Sequence, residues 1–205
     1  MSVRLLLPLV LLLLLAGAAL ADPLVDEYTR ELGDENSRVR WDSLRSARKL
    51  GAAAEPIVPL LIEHLSNKID RLEVIITLGE LGTVAKPALP KLCSMLDESL
   101  KDPSPYDDNA SMRPIILTAI EKIGQNSDTT TVLRKALKHP VSTVRYRAAY
   151  VLGEGGSAAQ PAIADLENLS SDHQYVGLFV YDHGKDVAES AALALKKLKD
   201  QGVLR

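Results

Sequence analysis

Five stretches of the chain repeat one another at fixed positions, and this periodicity limits the fold more than any other feature. With Arg40, Arg71, Arg113, Arg145 and Ala188 as anchors, the spacings are 31, 42, 32 and 43 residues. Four places after each anchor stand Leu44, Ile75, Leu117, Ala149 and Ala192, and seven places after stand Ala47, Leu78, Ile120, Leu152 and Leu195, so all ten are apolar. Eleven places after come Gly51, Gly82, Gly124 and Gly156, broken only by Lys199; sixteen places after come Pro56, Pro87 and Pro161, broken by Thr129. Apolar residues at this spacing share one helical face. The Gly that follows supplies a left-handed end cap, and the Pro fits the first turn of a second helix. Residues 71–100 give the clearest copy, with Ile75, Leu78 and Leu81 before the corner and Leu89, Leu92 and Leu96 after it. Neither helix can bury its stripe alone, so the copies must stack.

The repeat consensus Val144-Arg145-Tyr146-Arg147-Ala148-Ala149-Tyr150-Val151-Leu152-Gly153, together with Leu78-Gly79-Glu80-Leu81-Gly82, resembles the HEAT-repeat family, in the short form also found in phycobilin-lyase-like proteins. The resemblance covers residues 37–199. It implies an all-α, armadillo-type solenoid, a right-handed α-α superhelix of helical hairpins. It implies little about function, because such repeats serve scaffolds, adaptors and a few enzymes alike. Some HEAT-repeat proteins resembling this one bind di-iron through His-Glu dipeptides, but His64, His139, His173 and His183 are followed by Leu65, Pro140, Gln174 and Gly184.

Residues 1–21 carry Arg4, a Leu-rich run and then small residues ending Ala19-Leu20-Ala21. That is the form of a secretory signal cleaved after Ala21. The competing reading is an uncleaved anchor, since residues 5–21 are 17 uncharged residues, near the lower limit for a spanning helix. Cleavage would yield a secreted or periplasmic chain with no membrane contact. The expected organisation is a signal at 1–21, a capping segment at 22–36 in which Leu24, Val25, Tyr28 and Leu32 cover the open edge, a solenoid of about four hairpins and a final helix at 37–200, and a tail at 201–205.

Removing the signal takes away only Arg4 and leaves 23 basic against 27 acidic side chains. Nucleic acid is therefore not an expected partner, because phosphate binding needs a concentrated basic face. The single thiol, Cys93, lies beside Leu92 in an apolar stripe and reads as a small buried hydrophobe rather than a redox or catalytic group. A lone Cys also leaves an exported fold to rest on packing without a disulfide.

Catalytic signals are missing. Gly153-Glu154-Gly155-Gly156-Ser157 is no nucleophile elbow, and with no strand before it the Gly cluster reads as a helix stop. Only His173, Asp182 and His183 approach metal-ligand clustering, so no metal, cofactor or catalytic residue is assigned. Trp41, one place after its anchor, reads as packing on a neighbouring turn.

The long spacings hold two loops, near 101–110 and 170–186. Alternation of short and long spacings makes a pair of hairpins the larger unit: 40 to 113 is 73 residues, 71 to 145 is 74 and 113 to 188 is 75. In that frame Tyr106-Asp107 and Tyr181-Asp182 stand seven and six places before their anchors, on a common edge, with Phe179 nearby. These tyrosines can tuck under the next hairpin while the acids cap its helix. Alternatively the two loops form a recognition edge for a protein or peptide, the carboxylates favouring a basic partner. The expected function is a non-catalytic protein-protein interaction scaffold or adaptor. The alternative is a lyase-type enzyme or enzyme accessory acting on a chromophore or small ligand, which would require a deep apolar pocket.

Overall fold

The computed structural model describes residues 22–102, 111–174 and 186–204, and among these every regular element is helical. In chain order the α-helices are α1 (Pro23–Leu32), α2 (Ser37–Ala47), α3 (Val58–His64), α4 (Arg71–Leu81), α5 (Leu89–Ser99), α6 (Met112–Ile123), α7 (Ser127–Ala136), α8 (Ser142–Gly153), α9 (Ile163–Leu169) and α10 (Val187–Asp200). The helices α2, α4, α6, α8 and α10 touch one another in that order, and α5 touches α7, while α3 and α7 each meet the corner of the next hairpin. None of the described helices is long and apolar enough to cross a membrane.

The corners differ from expectation in one respect. Pro56, Pro87 and Pro161 lie not in the first turn of an α-helix but near the end of short 3-10 segments, Gly51–Ile57, Gly82–Ala88 and Gly156–Ala162, that lead into α3, α5 and α9. The reason is that each segment starts on a glycine with φ of 54°, 61° or 54°, which turns the chain at once and leaves a tighter helix to bridge the gap. The third hairpin has no such proline. There Asn126 and Thr129 form a capping box, and α7 starts directly as an α-helix.

Each first helix is buried on two faces for two reasons. Positions four and seven after the anchor, Leu44, Ala47, Ile75, Leu78, Leu117, Ile120, Ala149 and Leu152, are buried toward their own hairpin. Positions three and six after it, such as Val74, Thr77, Ile116, Ala119, Ala148 and Val151, are buried between successive first helices. In α10 only the second face is covered: Ala191 and Ala194 are buried, whereas Ala192 is exposed and Leu195 half-buried. No partner helix follows α10 in the described residues to cover that stripe. At the other end α1 buries Tyr28 and Leu32, with Leu24 and Val25 partly buried against the same core.

Successive first helices run parallel, because positions within two residues of equivalence meet across the junctions. Thr77 Oγ1 donates to Leu44 O, and Ser190 Oγ donates to Tyr146 O at 2.9 Å. A Cβ added to Gly79 would stand 3.1 Å from Ala119 Cα, and one added to Gly153 would stand 2.9 Å from Ala194 Cα. The amino ends of α4, α6, α8 and α10 therefore lie along one edge.

Candidate functional site

Tyr106, Asp107, Phe179, Tyr181 and Asp182 lie outside the described residues, as does His183. The stems of both loops are described, and each is held by an anchor arginine. Arg113 is 1 % exposed; its Nε donates to Ser99 O at 2.9 Å and its Nη2 to Asp102 O at 2.7 Å. Arg145 donates from Nε to Asp172 Oδ2 at 2.6 Å and from Nη2 to Gln174 Oε1 at 2.7 Å. On the far stem, Val187 and Ala188 donate their backbone N–H groups to Gln174 O and Asp172 O. Asp186 caps α10 by accepting from Glu189 N and faces His173 Nδ1 at 3.1 Å. The Glu189 N–H first, and His173 second, hold the Asp186 carboxyl below its ordinary value.

The anchor arginines share one local task. A helix end leaves backbone carbonyls without partners. Arg40 Nη1 donates to Asp34 O and Glu35 O, Arg71 Nε to Leu65 O, and Arg145 Nη1 to His139 O and Pro140 O. In each case the acceptor lies five or six residues before the arginine, at the end of the preceding segment. The charge thus satisfies the turn that joins one hairpin to the next, and this explains why arginine recurs at the start of a helix.

The most concentrated polar cluster surrounds Asp70, which is fully buried one residue before α4. Arg40 donates to its Oδ2 from Nε at 2.5 Å and to its Oδ1 from Nη2 at 3.3 Å. Trp41 Nε1 donates to Oδ1 at 2.9 Å and Asn67 Nδ2 to Oδ2 at 2.9 Å, while His64 Nε2 stands 3.1 Å from Oδ2. Burial pushes the Asp70 carboxyl up, but the bonds from Arg40, Trp41 and His64 outweigh it and hold the group below its ordinary value. The Asp70 charge is therefore fully partnered, and its first consequence is positional: it fixes the indole of Trp41.

Trp41 is held against a neighbouring turn, the one before α4, as the sequence suggests, but it is not buried there. The residue is 40 % exposed, although its indole N–H is fixed, and Ile69 and Leu72 flank Asp70 in the chain at 69 % and 40 % exposure. Three large apolar side chains thus stand in solvent about one buried carboxylate. Sequence reasoning missed this patch because the residue that organises it, Asp70, is an unremarkable acid until the fold brings Arg40 and Trp41 to it. The order of residues did carry one signal, an apolar-acid-basic-apolar run, Ile69-Asp70-Arg71-Leu72, at the start of a helix.

Cys93 is buried, and desolvation, followed by the nearby Asp128 charge, pushes its thiol up to about 11. The thiolate is not the resting form at neutral pH, which fits a packing role. Among the described residues no three His, Cys, Asp or Glu side chains gather as metal ligands.

No protein-family model matches the chain, and neither does any curated protein.

Proposed function

We propose that the protein is a non-catalytic interaction module of HEAT type: a right-handed α-α superhelix, exported by residues 1–21, that presents the edge carrying the amino ends of its first helices to a protein or peptide. The observation that carries this reading is the half-exposed Trp41 ring fixed through its indole N–H to buried Asp70. A rigid aromatic with one edge bonded and one face open loses little entropy on contact, and such residues dominate the binding energy of interfaces. The loop residues Tyr106, Asp107, Phe179, Tyr181 and Asp182 extend the same proposed edge.

The test is affinity capture from the native host with the chain beginning at Asp22. Trp41→Ala and Leu72→Ala should each weaken recovery of the captured protein by about tenfold or more, the scale of a hot-spot residue, while circular dichroism stays helical. Undiminished recovery with both variants would refute the edge as the binding surface.

A further inference from the structure

The anchor arginines provide an internal comparison that singles out Arg71. Arg40 clamps the Asp70 carboxylate through Nε and Nη2, and Arg145 clamps Asp172 through Nε, so the preferred occupant of an anchor guanidinium in this chain is a carboxylate. Arg113 is saturated by Ser99 O and Asp102 O together with further partners. Arg71 differs. Among the described residues its one side-chain hydrogen bond runs from Nε to Leu65 O at 2.9 Å, and it makes no ion pair. Both terminal nitrogens, with four N–H donors between them, have no partner among the described residues.

Those donors border a cleft of about 350 Å³ formed where the end of α3, the start of α4, α5 and the start of α6 meet. The lining includes Ser94 and Lys91, whose side chain has no hydrogen bond or ion pair among the described residues. It also includes the apolar side chains of half-buried Met95 and Met112 and buried Ile116. Among the described residues the only acid in the lining, Glu98, is already paired with Lys101. The free charge of the cleft is therefore positive, set beside flexible, polarizable methionines that adapt to an apolar side chain. Guanidinium forks match carboxylates in a planar, two-bond geometry that ammonium groups cannot reproduce.

We infer that this cleft binds an acidic side chain of a partner polypeptide, an Asp or Glu next to a large aliphatic residue, with the carboxylate on Arg71 and Lys91 and the aliphatic group against Met95, Met112 and Ile116. The inference rests on the interaction-module reading and names the chemistry of one segment of the partner. The acidic side chain takes at Arg71 the place that Asp70 takes at Arg40.

The test uses the isotope-labelled chain beginning at Asp22 and four probes followed by nuclear magnetic resonance: a blocked Gly-Asp-Leu-Gly peptide, its Asn counterpart, a Gly-Asn-Leu-Gly peptide with a free carboxyl terminus, and inorganic phosphate. The Asp peptide should shift the signals of Arg71, Lys91, Met95 and Met112 saturably, and at least about tenfold more tightly than the Asn peptide. Lys91→Gln, at an exposed side chain with no partner to lose, should weaken the Asp peptide several-fold, and Arg71→Gln should abolish its binding. Equal binding of the Asp and Asn peptides, or no shift at these residues, overturns the inference. Tighter binding of the free carboxyl terminus would assign the cleft to chain ends, and tighter binding of phosphate would make it a general anion site; either contradicts the proposal. Retained affinity capture with these negative results would remove the cleft alone, whereas loss of Trp41-dependent capture removes the module reading itself.

Discussion

The junctions between first helices are of two kinds, and the difference explains the alternating spacing of the repeats. At α4/α6 and α8/α10 the eighth residue after the anchor is glycine, Gly79 or Gly153, and the backbone of the next helix comes close enough that a Cβ would meet Ala119 or Ala194 at 3.1 or 2.9 Å. At α2/α4 and α6/α8 the same position is Arg48 or Glu121, and polar bonds span a wider gap. Arg48 Nε donates to Thr77 Oγ1 at 3.1 Å and its guanidinium pairs with Glu73; Arg147 Nη2 donates to Thr118 Oγ1 at 2.6 Å and faces Glu121. The close junctions are the ones that the chain crosses with its long connections, before α6 and α10. Two hairpins joined through a polar junction therefore make the repeating unit, and glycine-alanine contacts stack one unit on the next.

The polar junction also holds the Asp70 cluster, so it offers the largest expected effect. Asp70→Ala would leave the Arg40 charge buried without its carboxylate, at a cost of about 3–5 kcal/mol. Chemical denaturation read by circular dichroism checks this. The same cluster sets an acid limit. Because the folded-state pKa of Asp70 is depressed, its stabilisation is fully present above the ordinary carboxylate value and is lost as the pH falls from about 4 through the folded-state value. Wild type should lose melting temperature in that window, and Asp70→Asn should start lower and fall less steeply.

The close junction comes next. Gly153→Val would drive two methyl groups into the Ala194 backbone, and overpacking of this kind should cost about 2–3 kcal/mol. The smallest effect belongs to Arg48→Ala. Its ion pair with Glu73 is partly solvated on both sides, so the loss should stay below about 1 kcal/mol and shrink with added salt. A larger or salt-insensitive loss at Arg48 would mean that the two kinds of junction are not physically distinct.

Much of this was legible in the sequence, and the failures have definite causes. Helical periodicity places Leu44, Leu78, Leu117 and Leu152 in the core because burial follows the 3.6-residue turn. Gly82 and Gly124 mark corners because positive φ favours glycine. Arg40, Arg71, Arg113 and Arg145 were visible as a repeat, but their task was not, since the backbone carbonyls they bond, six residues back for Arg40, Arg71 and Arg145, leave no mark in side-chain identity. Gly79 and Gly153 stand 74 residues apart, in the two-hairpin period, yet within a helix a glycine that admits a neighbouring backbone looks like one that ends the helix. The Trp41 patch depends on an acid 29 residues away, and nothing local announces that contact. Ala192 follows the repeat pattern but stands exposed, because pattern alone does not say whether a covering helix exists.

Backbone proximity explains the glycine eight places after alternate anchors. Gly153→Ala tests it by sign, through the unfolding free energy from equilibrium denaturation. A glycine replaced by alanine gains about 1 kcal/mol from propensity in a helix interior and less at Gly153, the last residue of α8, but the sign is still a gain. With a Cβ at 2.9 Å from the Ala194 Cα, the expected result is a net loss instead. A gain near the propensity value would show that α8 and α10 do not approach this closely and that the two kinds of junction are one.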